Sequence, residues 1–261
     1  RSLTFQRERP LAGIRVLDLT RILAGPTATR FLAGFGAEVL RIDPPLWDEP
    51  SLAPEVTPGK RCARLDLNAP KGKARFKALL AEADILVSGY RSDALERLGL
   101  GAAERQEIRP GLIDVSLDAY GWSGPWAARR GVDSLVQMST GIAAHGMKIA
   151  GTAKPAPLPV QALDHATGYL MAAAALRGLS ERATTGLGSR WRTSLAKMAE
   201  LLSDLPKTED APAGEADYAP ILETTVWGPA RRLHPPLLVD GAPMAFATAA
   251  CPLGSASPEW A

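Results

Sequence analysis

Between residues 14 and 42 the chain reads strand, helix, strand, and this unit constrains the fold more than any other stretch of the 261 residues. Residues 14–19 (Ile-Arg-Val-Leu-Asp-Leu) suit a buried strand. Gly25-Pro26 then starts a helix, since proline is favoured in a first turn where its missing N–H is not needed. Ala28 to Phe35 continue the helix until Gly36, and Glu38 to Ile42 form the next strand. Two strands joined by a crossover helix within about thirty residues form the repeating unit of a parallel sheet.

The pattern recurs along the chain. A helix near 71–82 leads to the strand Asp84 to Ser88, a short helix covers 93–98, and Leu112 to Leu117 supplies a further strand. A helical stretch follows near 131–143, with Val132, Leu135, Val136 and Ile142 as candidates for its buried face. From Asp164 to Glu181 alanine and leucine dominate, Gly168 being the only early interruption, so a long helix is expected. Another runs from Ser194 to Leu205, with Ser194 as N-cap and Pro206 as the stop. The expected fold class is α/β, with a parallel-sheet, Rossmann-like large domain.

Composition bounds the rest. Hydrophobic content of 46% and charged content of 22% suit a globular chain able to bury a core. A net charge of +2, with Lys and Arg scattered among acidic residues, argues against a nucleic-acid protein. Cys62 and Cys251 are too few for a disulfide framework, so a reduced, cytoplasmic setting is the expectation. No apolar run reaches the roughly 18 residues of a membrane span. The start, Arg1 to Pro10, has no signal-peptide core and no initiator methionine, which fits a fragment, a processed product or part of something longer. Residues 206–217, including the acidic, alanine-rich run Lys207 to Asp217, read as an exposed linker. Residues 218–261 form a proline-rich tail expected to wrap in extended form on the large domain or a partner.

The loop Leu23-Ala24-Gly25-Pro26 lies at the carboxyl edge of the first strand, where ligands dock in parallel sheets and helix N–H groups can hold an anion. A purely structural turn satisfies the same pattern. Gly59-Lys60-Arg61 and Arg91 put cations at two further strand–loop junctions, suited either to clamping phosphates or to solvated surface charge. Asp164, at the start of its helix, is either a helix cap or a nucleophile kept ionised by the positive helix end. His165 is its neighbour in sequence, but adjacent helical residues do not face each other. His145 and His234 lack ligand spacing, so no metal site is expected.

In series, these segments resemble the class III coenzyme A transferase family, also called the carnitine-CoA transferase/bile-acid-inducible (CaiB/BaiF) family. The matching stretches are Gly13-Ile14-Arg15-Val16-Leu17-Asp18-Leu19 with Leu23-Ala24-Gly25-Pro26, and Gly36-Ala37-Glu38-Val39-Leu40-Arg41-Ile42-Asp43-Pro44-Pro45. They continue with Gly59-Lys60-Arg61, Leu65-Asp66-Leu67, Gly89-Tyr90-Arg91, Gly121-Trp122-Ser123-Gly124-Pro125 and Asp164-His165-Ala166-Thr167-Gly168. The resemblance implies that Asp164 is the catalytic aspartate, attacking an acyl-CoA thioester on the way to transferring CoA to a carboxylic acid. It implies CoA contacts from Leu23, Ala24, Gly25, Pro26, Arg41, Lys60, Arg61 and Arg91. It implies acyl-CoA and a small carboxylic acid as substrates, no tightly bound cofactor, and an interlocked homodimer or association with another chain or segment supplying a small domain. On this view residues 11–205 form the CoA-binding and catalytic large domain. Racemases of the same fold carry histidine where Gly131-Val132-Asp133 has valine, which excludes that proton shuttle here. Arg91-Ser92-Asp93 departs from the family's Arg-Pro-Gly. A non-catalytic CoA-binding subunit and an acyl-CoA hydrolase are the rival readings.

Overall fold

The computed structural model describes residues 6–91, 93–204 and 213–261. Its centre is a six-stranded, wholly parallel sheet in the order β3-β2-β1-β4-β5-β6. The elements in chain order are β1 (Arg15–Leu19), α1 (Ala24–Gly34), β2 (Glu38–Asp43), α2 (Ala53–Val56) and β3 (Lys60–Arg64). After them come α3 (Pro70–Glu82), β4 (Ile85–Ser88), α4 (Ala94–Arg97), α5 (Ala102–Ile108) and β5 (Ile113–Asp118). The chain continues through α6 (Asp133–Ser139), α7 (Ile142–Ala150), α8 (Ala162–Thr185), β6 (Ser189–Ser194) and α9 (Leu195–Asp204). An antiparallel hairpin, β7 (Tyr218–Thr225) with β8 (Gly228–Leu233), follows.

β1 and β4 are buried at every residue, because a parallel sheet is covered on both faces. One face carries Leu32 of α1 and Met171, Ala172 and Ala175 of α8 against Val16, Val87 and Val115. The other carries Phe76, Leu79 and Leu80 of α3 against Leu17, Leu40 and Leu86. Each such side chain contributes roughly 1.5–3 kcal/mol on burial. That surplus lets the sheet also hold buried ion pairs, which cost stability or at best break even.

Residue size sets how α8 meets α1. A Cβ on Gly168 would lie 2.5 Å from the Ala24 carbonyl oxygen and 2.8 Å from Thr27 Cβ, so only glycine permits this approach. The interruption seen in the sequence is thus the contact that seats the first turn of α8, and Asp164 with it, beside the start of α1. Ser194 caps α9 as expected, its hydroxyl accepting the Lys197 N–H at 3.1 Å.

Several expectations need correction. The helix expected over 131–143 is two shorter ones, α6 and α7, parted at Gly141, whose φ is +88°. Val136 is its buried contact, Ile142 is half-buried, and Val132 and Leu135 are exposed. β6 and α5 were not foreseen. β6 is an edge strand, Ser-Arg-Trp-Arg-Thr-Ser, that covers little and therefore lacks an apolar signature. The proline-rich tail includes the hairpin, where Pro229 sits opposite Thr224 in a ribbon with free outer edges, the setting in which strands tolerate proline. Beyond it the chain runs back along the sheet. Gly59 N–H donates to Thr248 O at 2.9 Å, Ala256 N–H to Cys62 O at 2.9 Å, and Trp260 Nε1 to Leu79 O at 3.3 Å. The proposed stop at Pro206 and most of the 206–217 linker lie outside the described residues, as do Ser92 and Arg1 to Phe5. No helix among the described residues is long and apolar enough to cross a membrane.

Candidate active site

The strand order runs outward from β1 in both directions, so the connections after β1 and β4 leave on opposite sides and open a crevice at the carboxyl ends. A cleft of about 630 Å³ lies there. Loop residues after β1 (Arg21, Ile22), after β4 (Gly89, Tyr90, Arg91) and after β5 (Ala119 and the 127–132 segment) form its walls, with Asp164.

The loop after β1 is held in an unfavourable shape. Ile22 has φ +63°, a left-handed conformation rare for a β-branched residue and of the kind that gathers at functional sites. Its N–H donates to Glu49 Oε1 at 2.7 Å, and Glu49 Oε2 accepts from Arg41 Nη2 at 2.7 Å. Arg41 also pairs with both oxygens of Asp43, at 2.9 and 3.0 Å. One strand away Asp18 receives Lys60 Nζ at 3.0 Å, the Thr20 N–H at 2.9 Å and the Thr29 hydroxyl. Burial alone would raise Asp18, but the Lys60 and Arg41 charges and the two hydroxyls hold it below the usual carboxylate range.

Arg41 and Lys60 were expected to touch CoA phosphates. In the structure both side chains are wholly buried, and Lys60 Nζ is further occupied by Pro26 O and Thr29 Oγ1. A cation inside a parallel sheet must be paired internally, so these residues brace the loop and have no face toward the cleft. Arg61 points elsewhere, toward Glu259 on the returning tail. Leu23, Gly25 and Pro26 are buried in the α1 start, and only Ala24 of that loop reaches the cleft. Arg91 is exposed and lines the cleft.

The sequence reading missed the other cations. Arg21 stacks between Trp47 and Tyr90, 4.3 and 4.9 Å from the ring centroids. Arg129 lies 4.2 Å over Trp126, which meets Tyr120 edge-on. Arg130 lines the wall beside it. Position at a strand end was the available signal for Arg21, and the Arg129-Arg130-Gly131 run for the pair.

Asp164 sits in the first turn of α8 and is 6% exposed. Its own N–H donates to Asp133 Oδ2 at 3.0 Å, while Asp133 Oδ1 accepts from Gln137 Nε2 at 2.6 Å. Gln137 in turn accepts the Leu158 N–H at 2.7 Å, tying the loop before α8 to α6. Asp133 therefore does the capping work at this helix start, and the Asp164 carboxyl is left for the cleft. The positive helix end was expected to keep Asp164 firmly ionised. Instead burial, and after it the Asp133 carboxylate, push its pKa up to about 7. A second carboxyl lines the same cleft. Asp118, at the end of β5, accepts the Gly121 N–H at 2.6 Å and is raised by burial to about 6. The His165 pKa is lowered by burial and by the Arg30 charge, and its side chain is not among those lining the cleft. No cluster able to hold a metal ion occurs among the described residues.

A doubly wound parallel sheet opens a ligand crevice at its strand ends, and here that crevice is lined by arginines and by two carboxyls raised by burial. Comparison with known proteins specifies the family. Residues 11–219 match the model of CoA-transferase family III, and the chain belongs to that family. A probable fatty acyl-CoA transferase of Mycobacterium tuberculosis, Rv3272, is 32% identical over 78% of this chain. A crystal structure of that protein superposes on 75% of the chain with a TM-score of 0.69. Human succinyl-CoA:glutarate CoA-transferase is 34% identical over 69% of the chain. A CaiB/BaiF family protein from Brucella suis matches 85% of the chain and 65% of its own length, at 26% identity and a TM-score of 0.67. The chain spans 58% of the Mycobacterium protein and 44% of the human one.

Proposed function

We propose that this chain is the nucleophile-bearing large domain of a CoA transferase, moving CoA from an acyl-CoA thioester to a carboxylic acid. The observation that carries the reading is Asp164, a buried carboxyl aimed at a cleft whose rim holds Arg21, Arg91, Arg129 and Arg130. The guanidinia suit the phosphates of CoA, since arginine offers charge and a planar fork of donors. The Asp164 carboxylate would attack the thioester carbonyl, the C–S bond would break, and CoA would leave as thiolate, giving a mixed anhydride. The thiolate would return to the Asp164 acyl carbon and release the donor acid. An acceptor carboxylate would then attack the aspartyl-CoA thioester and expel CoA thiolate, giving a second mixed anhydride, and the thiolate would attack the acceptor's acyl carbon, forming the new CoA thioester and releasing the Asp164 carboxylate. Dividing the transfer in this way is covalent catalysis.

A pKa near 7 supports this role. A poorly solvated carboxylate is more basic and more reactive than one in water, yet a useful fraction is ionised at neutral pH. The ionised fraction grows as pH rises through about 7, so the first attack should accelerate over that range. Val132 lines the cleft beside Asp164 and offers no proton relay, in keeping with transfer and against racemisation.

The reading assigns residues 11–205 to the catalytic domain, 206–217 to a connection and 218–261 to a strap. It takes acyl-CoA as substrate, with no tightly bound cofactor. Because the chain spans about half of its relatives, a partner chain or further segment would complete the acyl pocket. The matching alpha and beta subunits of the Chloroflexus aurantiacus succinyl-CoA–L-malate CoA-transferase are consistent with such an arrangement. Incubation with acyl-CoA followed by peptide mass spectrometry tests the proposal. The expected adduct is on Asp164 and not on Glu181, and Asp164→Ala should cut transfer roughly 10³-fold or more. CoA binding without any adduct would replace the transferase by a non-catalytic CoA-binding subunit, and an adduct discharged to water alone by a hydrolase.

A further inference from the structure

The returning tail brings the chain's two cysteines together at the outer part of the sheet. Cys62 is the middle residue of β3, fully buried, with its side chain on the same face as Lys60 two residues earlier. Cys251 lies on the tail and is half-buried. Its backbone is pinned from both sides, the N–H donating to Thr57 Oγ1 and the carbonyl accepting from the same hydroxyl, each at 2.9 Å. Its sulfur rests 3.6 Å from the Lys60 carbonyl oxygen. Two backbone bonds, Gly59 N–H to Thr248 O and Ala256 N–H to Cys62 O, bracket the contact and fix the tail against β3. Nothing in the acyl-transfer chemistry uses either thiol.

We propose that Cys62 and Cys251 form a redox-active dithiol, a modification site at which a hydroperoxide closes a reversible disulfide between β3 and the C-terminal tail. The outer thiol is the attacking one. Interaction with the Cys62 thiol, helped by Ser255, Thr57 and the Lys60 charge, brings Cys251 down to about 6, while Cys62 is held well above the usual thiol range. Cys251 is thus thiolate at neutral pH and reachable by a small oxidant, and the protonated Cys62 stands behind it. In the first step the Cys251 thiolate attacks one peroxide oxygen, the O–O bond breaks, and hydroxide leaves and is protonated to water, giving a sulfenic acid. In the second, the Cys62 sulfur attacks Cys251, the S–O bond breaks, and the Cys62 proton leaves with the hydroxyl as a second water. One peroxide is reduced and two thiols are oxidised. The product ties residue 251 covalently to the strand whose Lys60 braces the cleft loop.

Native protein treated with hydrogen peroxide, alkylated and digested should yield one cross-linked peptide pair joining residues 62 and 251 within a chain. Intact mass should fall by two hydrogens, and dithiothreitol should restore both thiols. Hydrogen exchange across residues 245–256 should slow in the oxidised form. Cys62→Ser should leave Cys251 to proceed to sulfinic acid, and Cys251→Ser should leave Cys62 reduced, so failure of either variant to fold does not remove the test. Two alkylated thiols after peroxide, a disulfide only between chains, or sulfinic acid at Cys251 in the unmutated protein would each overturn the proposal.

Discussion

Two sets of cations lie close together in this molecule and behave oppositely. Arg41 and Lys60 sit inside the sheet, Arg41 paired with the Asp43 and Glu49 carboxylates and Lys60 with Asp18, Pro26 O and Thr29 Oγ1, with no exposed side-chain surface. Arg91, Arg129 and Arg130 stand on loops at the carboxyl edge, exposed and facing a cleft. A strand–loop junction in the sequence announces both sets equally. What separates them is whether the side chain turns back under the helices or outward over the strand ends. The inner set holds the cleft loop through Asp18 and Glu49, and the outer set is free to meet a ligand.

Substitutions can break or sharpen that contrast. Lys60→Met should give the largest effect on stability, because it leaves Asp18 buried without its counter-charge. Removal of one partner of a buried pair costs about 3–5 kcal/mol, readable as a lower urea midpoint. A variant that unfolds normally but loses CoA affinity would return Lys60 to the ligand-binding set. Arg130→Ala should do the reverse. CoA binding by calorimetry should weaken about tenfold, while the urea midpoint moves by less than roughly 0.5 kcal/mol equivalent.

The smallest effect concerns Asp164. The folded-state pKa of Asp164 lies above the ordinary carboxylate value of 3.8, at about 7. The folded protein therefore binds this proton more tightly than the unfolded chain does, and the resulting stability is present below pH 3.8 and lost as pH rises through about 7. Asp164→Asn should abolish adduct formation and yet stabilise the protein by ~1 kcal/mol above neutrality, as neutralising a strained active-site group commonly does. That gain should vanish in acid. Equal denaturation midpoints for the two proteins across the whole pH range would show that Asp164 is not held in an unfavourable ionised state.

The hairpin and edge strand show where reading a sequence stops being informative. β1 and β4 are runs of buried aliphatics, and α8 is rich in alanine and leucine, so each declares itself locally. β6, with Arg190 and Arg192 alternating with half-buried residues, is a strand only because β5 offers it hydrogen bonds. Asp118 and Arg21 carried no motif of their own, and the sheet order is what brings them to one cleft with Asp164. Asp133 was visible as part of a segment that lacks a histidine. Its bond to the Asp164 N–H belongs to tertiary structure, because α6 and α8 must pack before the two meet.

From sequence alone came the alternation of strands and helices, the α/β class, the family resemblance and the choice of Asp164 as the residue to watch. These depend on periodicity, capping and motif order, all of which are written in neighbouring residues. Tertiary structure decided which cations are free, how Asp164 titrates, and that Cys62 meets Cys251 across most of the chain's length. Such outcomes depend on burial and on partners distant in sequence. A charge or a thiol acquires its chemistry from the groups that folding sets around it.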